Sequence, residues 1–229
     1  MKTKAIKKTW IWIAFIMTSF TVSAQTHIGA RLGTHTSSTS STGIIDDIIP
    51  MGWQTSPEVG LTVEQGLGYN LSVFSGILYS RKGFGINQST SFDVLGFNLP
   101  IGVSANAHLN YIETPIALKY TIGESRTRGF VMGGLSTSYA TSGTIRSQAN
   151  FILDINLPDI NVDFGDNNFS RWNYAGLIGG GIEHTIGKGK IYADVSYKHG
   201  LNSVIMDTVI DLDIKNKGFT LGIGYAYSL

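Results

Sequence analysis

The sequence predicts an all-β fold, a single eight-stranded, antiparallel, up-and-down transmembrane β-barrel. Eight short segments alternate apolar with polar or small residues at period two, as strands with two different faces do. The connectors between them alternate long and short, which is typical of a barrel with turns at one rim and loops at the other. Only 14% of the residues are charged, against about 25% in soluble proteins. After residue 24, no stretch of the sequence is long and apolar enough for a membrane-spanning helix.

The strands are assigned in chain order from the alternation. They cover residues 27–35, 58–64, 69–80, 107–120, 129–140, 172–185, 190–199 and 217–227. Short turns after the second, fourth and sixth strands are predicted at the glycine-containing segments 66–68, 123–128 and 187–189. Long connectors are predicted after the others, at residues 36–56, 81–106, 141–171 and 200–216. The short turns then face the periplasm, and the long connectors form the extracellular rim.

The first four predicted strands each separate an apolar face from a polar or small one. In strand one, Ile28 and Leu32 lie opposite Arg31 and His35. In strand two, three aliphatic residues lie on the face opposite Glu58 and Glu64. Strand three alternates least regularly. Strand four places Ile112, Thr114, Ile116, Leu118 and Tyr120 opposite Glu113, Ala117 and Lys119. Pro115 interrupts this strand, and because proline has no N–H to donate, it predicts a bulge or a local break in pairing.

The last four strands repeat the pattern. Strand five sets Val131 and Leu135 opposite Ser136 and Ser138, and strand six is rich in glycine. Strand seven alternates Ile191, Ala193, Val195 and Tyr197 with Tyr192, Asp194, Ser196 and Lys198. In strand eight, aromatic and aliphatic residues from position 219 to 227 alternate with glycine, threonine and alanine. Small residues on one face suit a narrow barrel interior.

The alternation by itself allows two kinds of barrel. A soluble, lipocalin-like barrel would turn its apolar face inward, whereas an outer-membrane barrel turns it towards lipid. Aromatic residues cluster near the strand ends, as they do at membrane interfaces. They are Tyr69, Tyr120, Tyr225 and Tyr227 towards the turns, and Tyr79, Tyr139 and Trp172 towards the loops. A soluble barrel needs no systematic short and long connectors, so the membrane barrel is favoured.

The first 24 residues predict a cleaved, Sec-type signal peptide. Four lysines precede an apolar run of eleven residues, 10–20, and Val22-Ser23-Ala24 supplies small residues before Gln25. The run is shorter than the roughly 20 residues that span a bilayer. The barrel domain is therefore assigned to residues 25–229, where 13 Lys and Arg face 16 Asp and Glu for a net charge of −3. This acidic balance argues against a nucleic-acid partner, which requires a basic footprint.

Three stretches resemble a known family. LNYIETPIALKY at 109–120 is similar to the YIE-x-P-hydrophobic-K-Y strand of the PorT-type outer-membrane β-barrel family. YAGLIGGGIE at 174–183 and KGFTLGIGY at 217–225 resemble its glycine-rich and closing strands. The resemblance implies an eight-stranded barrel in the outer membrane of a Gram-negative bacterium. Some members of that family assist a type IX secretion and gliding apparatus, and most have no known activity.

The face opposite the apolar one carries a set of charged residues that predicts a charge network in the lumen. Its bases are Arg31, Lys119 and Lys198, its acids are Glu58, Glu64, Glu113, Glu183 and Asp194, and His35 is a further titratable group. Charges removed from water must pair or lose their charge. We therefore expect a salt-bridged interior that stabilises the barrel and conducts poorly. The alternative is a narrow transport or ligand-binding barrel.

Two of the long connectors are patterned like strands. Segments 150–168 and 204–215 alternate apolar residues with aspartates, which predicts strands that extend beyond the membrane. Exposed strands invite strand addition by a partner, so we expect docking of other envelope proteins there. The candidate residues are Phe151, Asp154, Asp159, Asp163, Asp207 and Asp211. Clustered carboxylates could bind calcium, but their spacing does not match an EF-hand loop, and no metal site or cofactor is predicted.

A lipid-modifying enzyme is the least favoured class. Acyl hydrolysis would need a serine with a histidine base and an acid. The candidates are Ser136, Ser138, His108, His184 and His199, and no nucleophile-elbow or zinc-helix motif accompanies them. We therefore predict no catalytic residue. The leading function is a structural or interaction role in the outer membrane, with an accessory role in a secretion machinery as its finer form and membrane lipid as a partner.

Overall fold

A computed structural model describes residues 25–41, 51–94, 97–150, 154–156, 160–161, 170–203 and 214–229. These residues form eleven β-strands. They are β1 Thr26–Ser41, β2 Met51–Gly52, β3 Gln54–Gly68, β4 Leu71–Val94, β5 Phe97–Ile122, β6 Thr127–Asn150, β7 Asp154–Asn156, β8 Ile160–Asn161, β9 Trp172–Ile186, β10 Gly189–Gly200 and β11 Ile214–Ser228. Among the described residues, no helix is long and apolar enough to cross a membrane.

Eight of the strands close into a ring. Each pairs antiparallel with its two neighbours in the order β4-β3-β1-β11-β10-β9-β6-β5, and a β4–β5 ladder completes the circle. The short strands β2, β7 and β8 add to β4 and β6 outside the ring. The predicted eight-stranded antiparallel barrel is thus confirmed.

The ring is staggered as well as closed. Stepping from Thr121 in β5 to its paired residue in each next strand leads back to β5 at Tyr111, ten residues away. The residues on the path are Phe130, Gly181, Asp194, Gly222, Gly33, Glu58 and Ser80. Such a stagger makes the strands tilt, and an eight-stranded barrel then has an interior just wide enough for side chains.

The alternation predicted from the sequence divides lipid-facing from lumen-facing side chains. Large apolar residues such as Leu61, Ile116, Ile178 and Leu221 are 60–66% exposed on the outside. Their strand neighbours Glu58, Glu113 and Glu183 are almost completely buried inside. In a membrane, the exposed apolar side chains face lipid instead of water, so their exposure is the expected state for an outer-membrane barrel.

Several predicted boundaries are wrong, since β1 runs to Ser41 and β6 to Asn150, where connectors were predicted. The connector predicted at residues 81–106 is a continuous extension of β4 and β5, paired almost to its tip. The alternation of apolar and polar residues does not reveal these strands, because outside the membrane neither face of a strand must be apolar. The backbone pairing continues without it. The first short turn lies at Tyr69 and Asn70, with φ of 51° and 64°, rather than at 66–68. Two consecutive positive φ angles are typical of a type I′ turn, the two-residue turn that suits the right-handed twist of β-hairpin strands.

Pro115 has the predicted effect on pairing. It remains opposite Ser136 of β6, but the β4–β5 ladder runs from Ser75–Ile116 to Leu78–Glu113 without the two pairs between them. The Ser75 hydroxyl donates a hydrogen bond to the Pro115 carbonyl oxygen at 2.8 Å. The ladder resumes in the same register, so the proline causes a break and not a bulge.

Candidate functional site

Charged side chains fill the lumen at two levels, and glycines make room for them. On β11, a Cβ at Gly222 would overlap the Arg31 guanidinium, and one at Gly224 would overlap the Tyr192 ring. A Cβ at Gly218 would come within 2.8 Å of His35. The small face of this strand therefore provides the volume that long polar side chains on β1 and β10 occupy.

The first group, here called the loop-side cluster, begins with Arg31. Its Nη1 pairs with Glu58, while Nε and Nη2 donate to the two carboxylate oxygens of Asp194 at 3.1 and 2.7 Å. All three side chains are at most 5% exposed. A bidentate arginine–carboxylate pair of this kind is among the stronger charged hydrogen bonds.

Glu113 forms the other half of the loop-side cluster. Its carboxylate pairs with Lys198 and lies 3.0 Å from the Lys82 ammonium. Lys198 also reaches Glu58 at 3.2 Å, which joins the two halves. Lys82 further donates to the Ser138 hydroxyl at 2.9 Å. Among the described residues, the cluster thus holds three cations and three carboxylates.

The second group, the turn-side cluster, lies nearer the short turns. Lys119 contacts Glu64 at 2.9 Å and Glu183 at 2.5 Å, and Lys190 contacts the same two carboxylates at 2.8 and 3.0 Å. Arg128 adds a 2.7 Å pair with Glu183, and its side chain is 30% exposed. Each carboxylate is therefore shared by at least two cations.

Apolar side chains separate the two clusters. Phe74, Phe130, Met132 and Tyr192 meet between them, and the Lys119 ammonium lies 4.2 Å from the centre of the Phe130 ring. The cavities beside these side chains are each about 10 Å³, the space of one water molecule at most. The middle of the lumen is therefore packed with side chains, which opposes passage of a hydrated ion.

The eight charged residues singled out from the sequence all lie in these two clusters. His35 lies beside them and shares a 2.8 Å hydrogen bond with Thr220. Sequence reasoning missed Lys82, Lys190 and Arg128. Lys82 fell in the supposed connector, and Arg128 in a turn. Lys190 could have been found, since it shares the face of Tyr192 and Asp194.

The missed lysines change the charge balance of the lumen. The sequence suggested three bases against five acids. With Lys82 and Lys190, the lumen of the described barrel holds five buried cations, the other three being Arg31, Lys119 and Lys198, against five carboxylates. The predicted excess of acid is therefore wrong, and Arg128 adds a partly exposed cation at the turn side.

The candidate docking residues are largely outside the described part of the chain. Phe151, Asp159, Asp163, Asp207 and Asp211 lie outside it. The backbone of Asp154 begins β7 and pairs with Asn150 of β6. The strand-like pattern of the third long connector thus corresponds, where it is described, to two short strands on the outer edge of β6.

The residues considered for catalysis do not form a hydrolytic triad. His184 bonds to Thr127 at 2.7 Å and His199 to Tyr197 at 3.3 Å, neither partner being a serine. Ser138 contacts Lys82 and Glu113, and neither His108 Nδ1 nor Ser136 Oγ has a hydrogen-bond partner in the described structure. No group of three potential metal ligands occurs among the described residues.

Comparison with known proteins gives one family match. Residues 23–206 match the model of the family described as outer membrane protein beta-barrel domain. No curated protein matches the chain.

The solved structures that align with this chain include three outer-membrane barrels. The attachment invasion locus protein Ail of Yersinia pestis is 13% identical over 90% of this chain and 100% of its own, with a TM-score of 0.40. OprG of Pseudomonas aeruginosa is 13% identical over 89% and 95%, with a TM-score of 0.46. The outer membrane protease OmpT of Escherichia coli is 9% identical over 91% and 99%, with a TM-score of 0.42. All three scores are below 0.5, so the fold assignment rests on strand pairing and on the family match.

Proposed function

The chain belongs to the outer membrane protein beta-barrel domain family, and we propose that it is a non-enzymatic interaction protein of the Gram-negative outer membrane. Its docking surface would be the strand extension at the extracellular rim. A PorT-type role, accessory to a secretion machinery, is the finer form of this proposal. It is supported by the motif at residues 109–120.

One observation carries the proposal: three neighbouring strands are far longer than the membrane requires. β4, β5 and β6 have 24, 26 and 24 residues, whereas about 9–11 suffice to cross a bilayer. Among the side chains that the structure describes on these strands, the outermost large apolar ones exposed on the outside are Tyr79, Ile112 and Tyr139, which pair across the three strands. β4 continues for fifteen residues past Tyr79, which is roughly 50 Å along the strand.

The extension, here called the rim sheet, consists of β4 from Ser80, β5 up to Tyr111 and β6 from Ala140. From Asn87 to Val94, β4 pairs with β5 on one side and with no other described strand. A row of backbone N–H and C=O groups on such an edge can accept a strand from another chain. The expected partner is therefore an envelope protein that offers an extended segment.

The test is to shorten the rim sheet and follow the partner. Residues 87–104 are deleted, and the paired Ile86 and Ala105 are joined through an Asn-Gly turn. This preserves the register of the remaining β4–β5 ladder. The tagged full-length chain, crosslinked and purified from its native outer membrane, should recover a partner that the shortened chain loses. Deleting 150–168 should weaken the same recovery.

The matched control alters the opposite rim. Replacing the 123–126 turn with an Asn-Gly turn shortens the chain without touching the rim sheet. This variant should recover the partner as the full-length chain does. Equal recovery by the 87–104 deletion, or no recovered partner with any form, contradicts the proposal.

The packed lumen makes a separate prediction about transport. In the middle of the lumen, paired charges and the apolar layer leave cavities of about one water each, so the barrel should not conduct. In planar-bilayer recordings, the refolded chain should show no stable openings, with a porin as the positive control. Stable openings of large conductance would favour a transport barrel instead.

A further inference from the structure

The turn-side mouth of the lumen contains a cavity that neither cluster fills. It measures about 250 Å³ and is lined by His27, Glu64, Arg128, Glu183 and Lys190, together with backbone of the first short turn. A water molecule takes about 30 Å³ in the liquid, so the space admits a small polyatomic ion. Because it lies at the short turns, it opens towards the periplasm.

The carboxylates at the cavity are already satisfied. Both oxygens of Glu64 accept hydrogen bonds, Oε1 from Lys190 and Ser72 and Oε2 from Lys119. Both oxygens of Glu183 do so as well, Oε1 from Arg128 and Oε2 from the two lysines. A metal cation entering the cavity would have to displace a lysine or the arginine to reach an oxygen.

The turn-side cluster has an excess of positive charge and two unpaired nitrogen atoms beside the cavity. Among the described residues, the turn-side cluster holds three cations against two carboxylates, whereas the loop-side cluster is balanced. The Arg128 Nε and the His27 Nδ1 have no hydrogen-bond partner in the described structure; both side chains line the cavity, and these two atoms lie buried behind its surface. A guanidinium N–H can only donate, so the unmet need at Arg128 is for an acceptor.

We propose that this mouth cavity binds a small soluble oxyanion from the periplasm, such as phosphate. A phosphate group would accept hydrogen bonds from the Arg128 guanidinium and would balance the excess cation. The lining side chains face the lumen and not the lipid, which favours a free ion over a lipid headgroup. This site is independent of the rim sheet, since it lies at the opposite end of the barrel.

The experiment is calorimetric titration of inorganic phosphate into the folded mature chain in maltoside micelles, at constant ionic strength set with sodium chloride. We expect saturable binding that Arg128→Gln weakens roughly tenfold or more, the effect of losing one charged hydrogen bond. Arg126→Gln is the matched control, because it removes the same charge from the same turn at an exposed position outside the cavity. It should leave the affinity unchanged.

A second measurement does not depend on the variant folding. In the unaltered chain, the NMR signal of the Arg128 Nε–H should shift with the same saturation midpoint as the calorimetric curve. Absence of saturable binding, or equal weakening by both arginine variants, overturns the proposal. Displacement of phosphate by vesicles of anionic phospholipid, but not by neutral ones, would assign the site to a lipid headgroup and overturn the soluble source.

Discussion

Neutralising Glu113 should strongly destabilise the barrel. Its side chain is fully buried and pairs with Lys82 at 3.0 Å and with Lys198. Glu113→Gln leaves three cations against two carboxylates in the loop-side cluster, with both lysines no more than 6% exposed. Removing one partner of a buried ion pair costs about 3–5 kcal/mol, because the remaining charge stays buried and unpaired. We expect a loss of that size in the free energy of unfolding.

The same reasoning predicts a rescue. Adding Lys82→Met to Glu113→Gln leaves Arg31 and Lys198 against Glu58 and Asp194, so the cluster is balanced again. The double variant should regain at least half of the lost stability even though it carries one more substitution. The control is Glu124→Gln, which removes an exposed carboxylate in a turn and should change stability by about 0.5 kcal/mol or less.

The assay is urea unfolding of the barrel refolded in phospholipid vesicles, followed by tryptophan fluorescence and by heat-modifiable gel mobility. The midpoints of all four proteins are compared at equal slopes, since a changed slope would signal a different unfolded state. A cost below about 1 kcal/mol for the single variant, or a double variant no more stable than it, would refute the view that paired charges hold the lumen together.

Three further predictions concern the barrel wall and its processing. Gly134→Ala should cost about 1–3 kcal/mol in the same unfolding assay, because its Cβ would overlap the backbone of β5, while Gly176→Ala, with open space around it, should be neutral. With Trp53→Phe, Trp172 becomes the single tryptophan of the mature chain, and bromine near the lipid headgroups should quench it more than bromine at the bilayer centre. Equal quenching at both depths would argue against its place in the aromatic girdle. N-terminal sequencing of the protein from native membranes should begin at Gln25; a chain that retains the lysine-rich start would contradict cleavage.

The inside and outside of each strand could be predicted from sequence because period two is a property of the extended backbone. Glu113 and Ile116 differ in burial for no other reason than their position in the alternation. What alternation does not contain is which residues meet across the lumen. Arg31 of β1 reaches Asp194 of β10 over Gly222 of the strand between them, which depends on two ladders at once. Lys198 of β10 reaches Glu58 of β3 although two strands lie between them, which depends on how the ring curves.

The rim sheet shows where the pattern stops being informative. Inside the membrane, lipid forces one face to be apolar, so strands are visible in the sequence. Beyond it, both faces can be solvated, and residues 81–94 and 97–106 resemble a loop in sequence although their backbone pairs. Lys82 was missed for this reason, since it lies three residues past Tyr79, inside the predicted connector, and its buried side chain still points inward.

The ten-residue stagger has a consequence for how such a chain can change length. Ten is an even number, so a circuit of the barrel returns to a residue on the same side of the wall. Inserting one residue in the middle of a membrane strand would send every side chain beyond it to the wrong side, carrying lysines and glutamates into lipid. A bulge could absorb the extra residue, as β6 does with Thr141 opposite Asn110 and Tyr111. Viable variation within the wall should therefore come in steps of two, while the rims can vary one residue at a time.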